Sequence, residues 1–154
     1  KLPNPQVMTG YRDDTARTKA AQIEVDGVSY FTTGDTVDID AEGYVFYTGR
    51  VDDLINSSGY RIGPQEVENV LSEHEAVQEC AVVGVPDDER GELVKAWIIL
   101  NDGFEADDRL TGALQEYVKK QTAPYKYPRR IAFVDELPKT VSGKIQRNLL
   151  RARS

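Results

Sequence analysis

The 154-residue sequence predicts an α+β fold in two parts joined by a turn-dense segment. Three observations predict it. Residues up to about 50 break into short apolar tracts around Asp26-Gly27 and Ala41-Glu42-Gly43, the spacing of two hairpins. From residue 64 onward the tracts lengthen and run helix, strand, strand, helix, strand. Between them residues 49–66, G-R-V-D-D-L-I-N-S-S-G-Y-R-I-G-P-Q-E, crowd acids and glycines into what reads as a joint.

Taken in order, Pro3 and Pro5 restrict residues 1–10 to irregular or edge structure. Asp13 or Asp14 then caps a short helix through about Ala21. Ile23-Glu24-Val25 and Ser29-Tyr30-Phe31 form the first hairpin; residues 36–39 and 44–47 form the second. After the joint, whose residues 56–59 read as a polar turn, Pro64 suits the first position of a helix over 64–74 with Val67, Val70 and Leu71 at helical spacing. Glu66 and Glu68 suit the positive end of its dipole. Residues 77–85 and 93–100 are nearly unbroken apolar runs, the pattern of buried strands. Residues 107–121 place Leu110, Leu114, Tyr117 and Val118 on one helical face, with Asp107 or Asp108 as cap and Pro124 beyond the end. Residues 130–134 give a third strand and 146–153 a last short helix. The domain division that follows is 1–50 and 51–154, with a hinge near 52.

With 40% hydrophobic and 29% charged residues the composition is globular, and a net charge of −7 disfavours nucleic acid or an anionic membrane as partner. Cys80 is the single cysteine, so an intrachain disulfide is excluded and a reducing compartment, the cytoplasm, is expected. A metal site is not expected: His74 is the sole histidine and 87–89 is one acidic run without a second arm. Nor does any apolar run reach the length of a membrane span. The chain opens on Lys1-Leu2-Pro3 with neither initiator methionine nor signal peptide, and a segment of a longer protein is expected.

Two stretches carry chemistry. Thr33-Gly34-Asp35 puts a carboxylate on a glycine turn, where it can accept hydrogen bonds from vicinal hydroxyls, although an ordinary Gly-Asp turn has the same spacing. Arg50, after Gly49, could reach the same sugar or make a surface ion pair. In 138–147, P-K-T-V-S-G-K-I-Q-R, Ser142-Gly143-Lys144 offers pliant backbone and an ammonium for phosphate or carboxylate oxygens. Pro138 and Ile145 stand where a P-loop needs glycine and serine or threonine. The cations from Lys139 to Arg153 also fit a solvated basic tail.

Together, Tyr30 to Asp35, Asp40 to Tyr44, residues 49–68 and 138–147 resemble the AMP-forming acyl-CoA synthetases of the adenylate-forming superfamily. N-S-S-G-Y-R-I-G-P-Q-E-V-E-N and T-A-P-Y-K-Y-P-R-R look most like the short- and medium-chain members. The resemblance implies a carboxylic acid activated by ATP to an acyl-adenylate, then transferred to coenzyme A. It also implies a small, mobile C-terminal domain preceded by a β-rich remnant of the large N-terminal domain. On it Lys144 serves adenylation, Asp35 binds the ribose with Arg50 assisting, and Arg61 approaches the nucleotide. Asp52 is then the hinge, and Ser58, Gly59 and Tyr60 line the CoA path. The phosphate loop, the acyl pocket and most of the Mg2+ binding fall to the absent large domain, so the segment alone is expected to be inactive. An aryl-CoA ligase, a peptide-synthetase adenylation domain and a non-catalytic binding module on the same fold remain alternatives.

Overall fold

The computed structural model describes residues 2–153, and the chain divides into two compact units, Lys1–Asp35 and Thr36–Ser154. In the first unit, α1 (Thr15–Ala20) begins where the Asp14 carboxylate accepts a hydrogen bond from the Arg17 amide at 2.9 Å. Strands β1 (Gln22–Val25) and β2 (Val28–Phe31) pair antiparallel. Asp26 and Gly27, both at positive φ, make the tight turn that a two-residue hairpin requires.

The second unit starts with a two-stranded sheet of β3 (Asp35–Ile39) and β4 (Val45–Arg50), turned by Asp40, whose carboxylate accepts from the amides of Glu42 and Tyr44. A single 3-10 turn, Val51–Asp53, follows. Where the sequence predicts a polar turn over 56–59, the turn narrows to Ser58-Gly59 and two short strands flank it, β5 (Ile55–Ser57) and β6 (Tyr60–Ile62). Each is three residues long, too short for an alternation to register; they pair with each other, and β5 joins the larger sheet where Ser57 pairs with Gly91 on a distant strand. The expected division at 50/51 falls inside this second unit, and the compact units divide instead between Asp35 and Thr36.

From α2 (Pro64–Ser72) onward the elements match expectation: β7 (Val77–Asp87), β8 (Gly91–Leu100), α3 (Asp108–Gln121), β9 (Arg130–Phe133) and α4 (Arg147–Ala152). Strand β8 is central. It runs antiparallel to β7 along its whole length, while its other edge is shared by β5 at Gly91 and by β9, parallel, over Lys95–Ile98. Alternation along β7 and β8 then splits the core in two. Cys80, Val82, Val94, Ala96 and Ile98 face α2 and α3, meeting Val67, Leu71, Leu114 and Val118. Ala81, Val83, Val85, Leu93 and Trp97 face the other way, against Leu137 and Leu150. The unit is therefore a mixed α+β layer in which one sheet face carries α2 and α3 and the other carries the segment after β9, including α4, through apolar anchors such as Leu137 and Leu150. No helix among the described residues is long and apolar enough to cross a membrane.

Candidate functional site

The joint is built around paired charges. Arg50, at the end of β4, donates from Nε to Asp52 Oδ1 at 2.9 Å and reaches Oδ2 from its second amine at 3.5 Å. The sequence-predicted sugar-binding arginine and hinge acid are thus partners of each other across the 3-10 turn. Partial burial works to raise the Asp52 carboxyl, but its own backbone amide, Arg50 and the more distant Arg151 outweigh this and hold it below the usual carboxylate value. Asp35 closes the first unit directly after Gly34, whose φ of 78° supplies the turn, and its amide donates to Thr33 Oγ1 at 3.2 Å.

Lys144 stands on a loop held by its own hydrogen bonds. The Thr140 amide donates to the Lys144 carbonyl at 2.8 Å, the Gly143 amide to Thr140 at 2.9 Å, and the Gln146 amide to Pro138 at 2.8 Å. Thr140 Oγ1 accepts from the Lys144 amide at 3.1 Å, and Gly143, with φ 81°, makes the reversal possible. At the base, Lys139 is paired with Glu79 of β7 at 2.8 Å. The Lys144 side chain itself is exposed, with no hydrogen-bond or ion-pair partner among the described residues. The result is an internally hydrogen-bonded loop carrying an exposed ammonium.

Ser58 and Gly59 form the exposed turn between β5 and β6, and Tyr60, also exposed, opens β6. Ser58 and Gly59 have φ of 51° and 82°, and the Ser58 amide donates to the Arg90 carbonyl at 2.9 Å. A Cβ added at Gly59 would meet no atom within 4 Å, so the fold requires glycine there for its left-handed φ alone and leaves the face open. Tyr60 stacks on Tyr125 with ring centroids 4.0 Å apart. Arg61 lines a cavity of about 490 Å³ together with Asp38, Tyr47, Thr48, Gln65 and Asn69.

The two exposed features are anchored toward opposite ends of β8. Glu79, which anchors the lysine loop, pairs with Ile99, whereas Ser57 pairs with Gly91. Eight residues of strand separate these anchor points, about 26 Å at roughly 3.3 Å per residue.

Four functional-looking residues escaped the sequence reading. Glu68, read as a dipole complement, is instead buried to 6% exposure. Its Oε1 accepts from the Val82 amide at 2.7 Å, and Arg147 donates to both of its oxygens at 2.7 and 2.8 Å. Arg147 also lies 3.7 Å from Asp53, and Arg151 donates to the other Asp53 oxygen at 2.7 Å and to the Asp52 carbonyl at 3.3 Å. The basic end of the chain is therefore, at Arg147 and Arg151, an internal ion-pair cluster rather than a solvated tail. The available signal was positional: Pro64, Val67, Glu68 and Leu71 share one helical stripe, and an acid on an apolar stripe needs a buried partner. Cys80 packs beneath, its thiol 3.5 Å from the Glu68 carbonyl, and burial pushes it up to about 11.

Comparison with known proteins adds three findings. The family model described as "AMP-binding enzyme C-terminal domain" matches residues 66–144. Among curated proteins the chain is 58% identical to the mitochondrial acyl-coenzyme A synthetase ACSM1 of Mus musculus, covering 83% of this chain and 23% of that protein. It is 54% identical to the mitochondrial acyl-coenzyme A synthetase ACSM5 of Homo sapiens, covering 93% and 24%. The chain thus spans about a quarter of the length of these relatives. Among solved structures, ATP-bound MatB from Rhodopseudomonas palustris superposes with a TM-score of 0.83 at 34% identity, over 97% of this chain and 28% of that one. The α+β fold is accordingly that of adenylate-forming enzymes. The cytoplasmic location expected from the cysteine count is overturned, because the curated relatives are named mitochondrial. A lone buried cysteine reports only a reducing milieu, and an address is written in a targeting segment rather than in a folded domain.

Proposed function

Since the chain belongs to the AMP-binding enzyme C-terminal domain family, we propose that it is the C-terminal part of an AMP-forming carboxylic acid:CoA ligase, with a mitochondrial location to match its relatives. The observation that carries this reading is that two unlike exposed features are anchored at points about 26 Å apart along one strand. A single reaction centre cannot meet both at once. A ligase of this kind needs them in turn: a cation beside the phosphoryl group while the acid carboxylate attacks the α-phosphate of ATP and pyrophosphate leaves, then an open path for the CoA thiol as it displaces AMP.

In this reading Lys144 is the cation, held on its self-bonded loop so that little reorganisation is needed when charge develops on the phosphate oxygens. Asp35 accepts from the ribose hydroxyls and Arg50 assists. Arg61, on its cavity wall, approaches the nucleotide in one orientation. The open turn Ser58-Gly59-Tyr60 borders the pantetheine arm in the other. The boundary of motion falls at 50/51, with Asp52 as the hinge, where a single 3-10 turn absorbs the rotation. Mg2+ would travel with ATP and be held by residues outside this chain. The 154-residue segment alone is inactive, for want of the acyl pocket and phosphate loop.

The test is pyrophosphate release by the full-length protein with acetate through decanoate and with benzoate, alongside Lys144→Ala. Acid-dependent release is expected, falling on the order of 10²- to 10³-fold in the variant, the loss typical of one transition-state donor. Thioester formation from supplied acyl-adenylate should survive that substitution. Absence of release with every acid would favour a binding module that has kept the fold and lost the chemistry.

A further inference from the structure

Resting on that ligase reading, we propose that Glu68 and Arg147, together with Asp53 and Arg151, are positioning residues that join the far side of the hinge to the Lys144 loop, so that the lysine moves as one body with residues 51–57. Arg147 lies three residues after Lys144 and opens α4. From its guanidinium, contacts run to both Glu68 oxygens in α2, through Glu68 Oε1 to the Val82 amide in the middle of β7, and to Asp53 in the 3-10 turn. One helical turn later Arg151 binds Asp53 again, and the Asp52 carbonyl with it.

Helix α4 has six residues and buries one side chain fully, Leu150. A helix that short does not persist by its own propensity, so its place is set by what it is tied to. Apolar packing of Leu150 against β7 fixes its depth but leaves it free to slide and rotate, because dispersion is not directional. Charged contacts in two directions restrict that freedom: Arg147 Nη2 is bonded to both oxygens of the buried Glu68 carboxylate while Nη1 lies 3.7 Å from Asp53. Replacing such a pair with apolar residues often costs little stability. Its service here is register, and register matters because Lys144 must reach one oxygen of one phosphoryl group.

A misplacement of about 1 Å at a reacting centre can cost on the order of 10²-fold, which sets the expected effect. In the full-length enzyme Arg147→Met should lower acid-dependent ATP–pyrophosphate exchange by about 10²-fold. Thioester formation from supplied acyl-adenylate should stay within about threefold of wild type. In a Lys144→Ala background the same substitution should produce no further loss, since a positioning residue has nothing left to position. Equal loss in both half-reactions, or a loss that adds to that of Lys144→Ala, would overturn the proposal. Glu68→Gln/Arg147→Met, which leaves no unpaired buried charge and keeps an acceptor for the Val82 amide, serves the same measurements if the single variant does not fold.

Amide hydrogen exchange on the same full-length proteins supplies a readout that needs no turnover. Exchange should rise together in 140–146 and 51–57 while α3 is unchanged. A rise in only one of these segments, in neither, or across the whole domain would also overturn the proposal. Wild-type protein that exchanges pyrophosphate with no acid would count against the ligase reading, and amide exchange would still decide the coupling.

Discussion

Removing the Glu68 carboxylate should destabilise the 154-residue chain far more than an ordinary helix-surface substitution. In Glu68→Ala the Arg147 guanidinium loses two bonds, at 2.7 and 2.8 Å, and the Val82 amide loses its acceptor. Breaking a buried pair by deleting one partner costs about 3–5 kcal/mol. The lower end applies here, because the Arg147 side chain keeps 20% exposure and Asp53 lies 3.7 Å away. An orphaned buried amide adds about 1 kcal/mol or more. The sum is about 4 kcal/mol, a large part of the 5–15 kcal/mol typical of a domain. Glu68→Gln keeps an acceptor for Val82 and one bond to Arg147, so about half that loss is expected. Glu68→Leu/Arg147→Met, with both charges gone, should come within about 1 kcal/mol of wild type after allowance for the Val82 amide. Urea unfolding followed by circular dichroism reads all three, and 4 kcal/mol moves the midpoint by about 2 M at a slope near 2 kcal/mol/M. If Glu68→Ala costs less than about 1 kcal/mol, or the double variant is as damaged as the single one, the desolvated-pair argument is wrong.

Three further outcomes follow from the site. Asp52→Pro in the full-length enzyme should leave one half-reaction measurable and slow the other, because proline fixes φ in the 3-10 turn; equal loss of both would speak against a hinge at this residue. The folded Asp52 carboxyl lies below its ordinary value, so the unfolded chain binds more protons as pH drops. Its stabilising contribution is therefore full above about pH 4 and is lost as pH falls through the folded value, and the urea-midpoint gap between wild type and Asp52→Asn should narrow only there. Cys80, buried with its thiol pushed up to about 11, should resist alkylation at pH 8 in the folded chain and react promptly in denaturant, as mass spectrometry would show; rapid native labelling would contradict the packing against Glu68 and Ser72.

The sequence by itself determined whatever rests on neighbours within about one element. Apolar runs named β7 and β8 to within two residues, the stripe of Leu110, Leu114 and Val118 named α3, and Asp14, Pro64 and Asp107 marked helix starts. Glycine spacing also placed reversals at Gly59 and Gly143, with Lys144 exposed after the second, since a reversal and an exposed cation are local properties. Tertiary structure decided the rest. Strands β5 and β6 have three residues each, and β5 enters the larger sheet through Gly91, more than thirty positions away. Arg50 and Asp52 read as separate site residues until the 3-10 turn folds one onto the other. Most of all, Arg147 looked like part of a basic tail and Glu68 like a helix-dipole acid, 79 residues apart in the chain. Only burial between α2, β7 and α4 turns them into a pair, because the cost of desolvating a charge does not exist until the fold has removed the water.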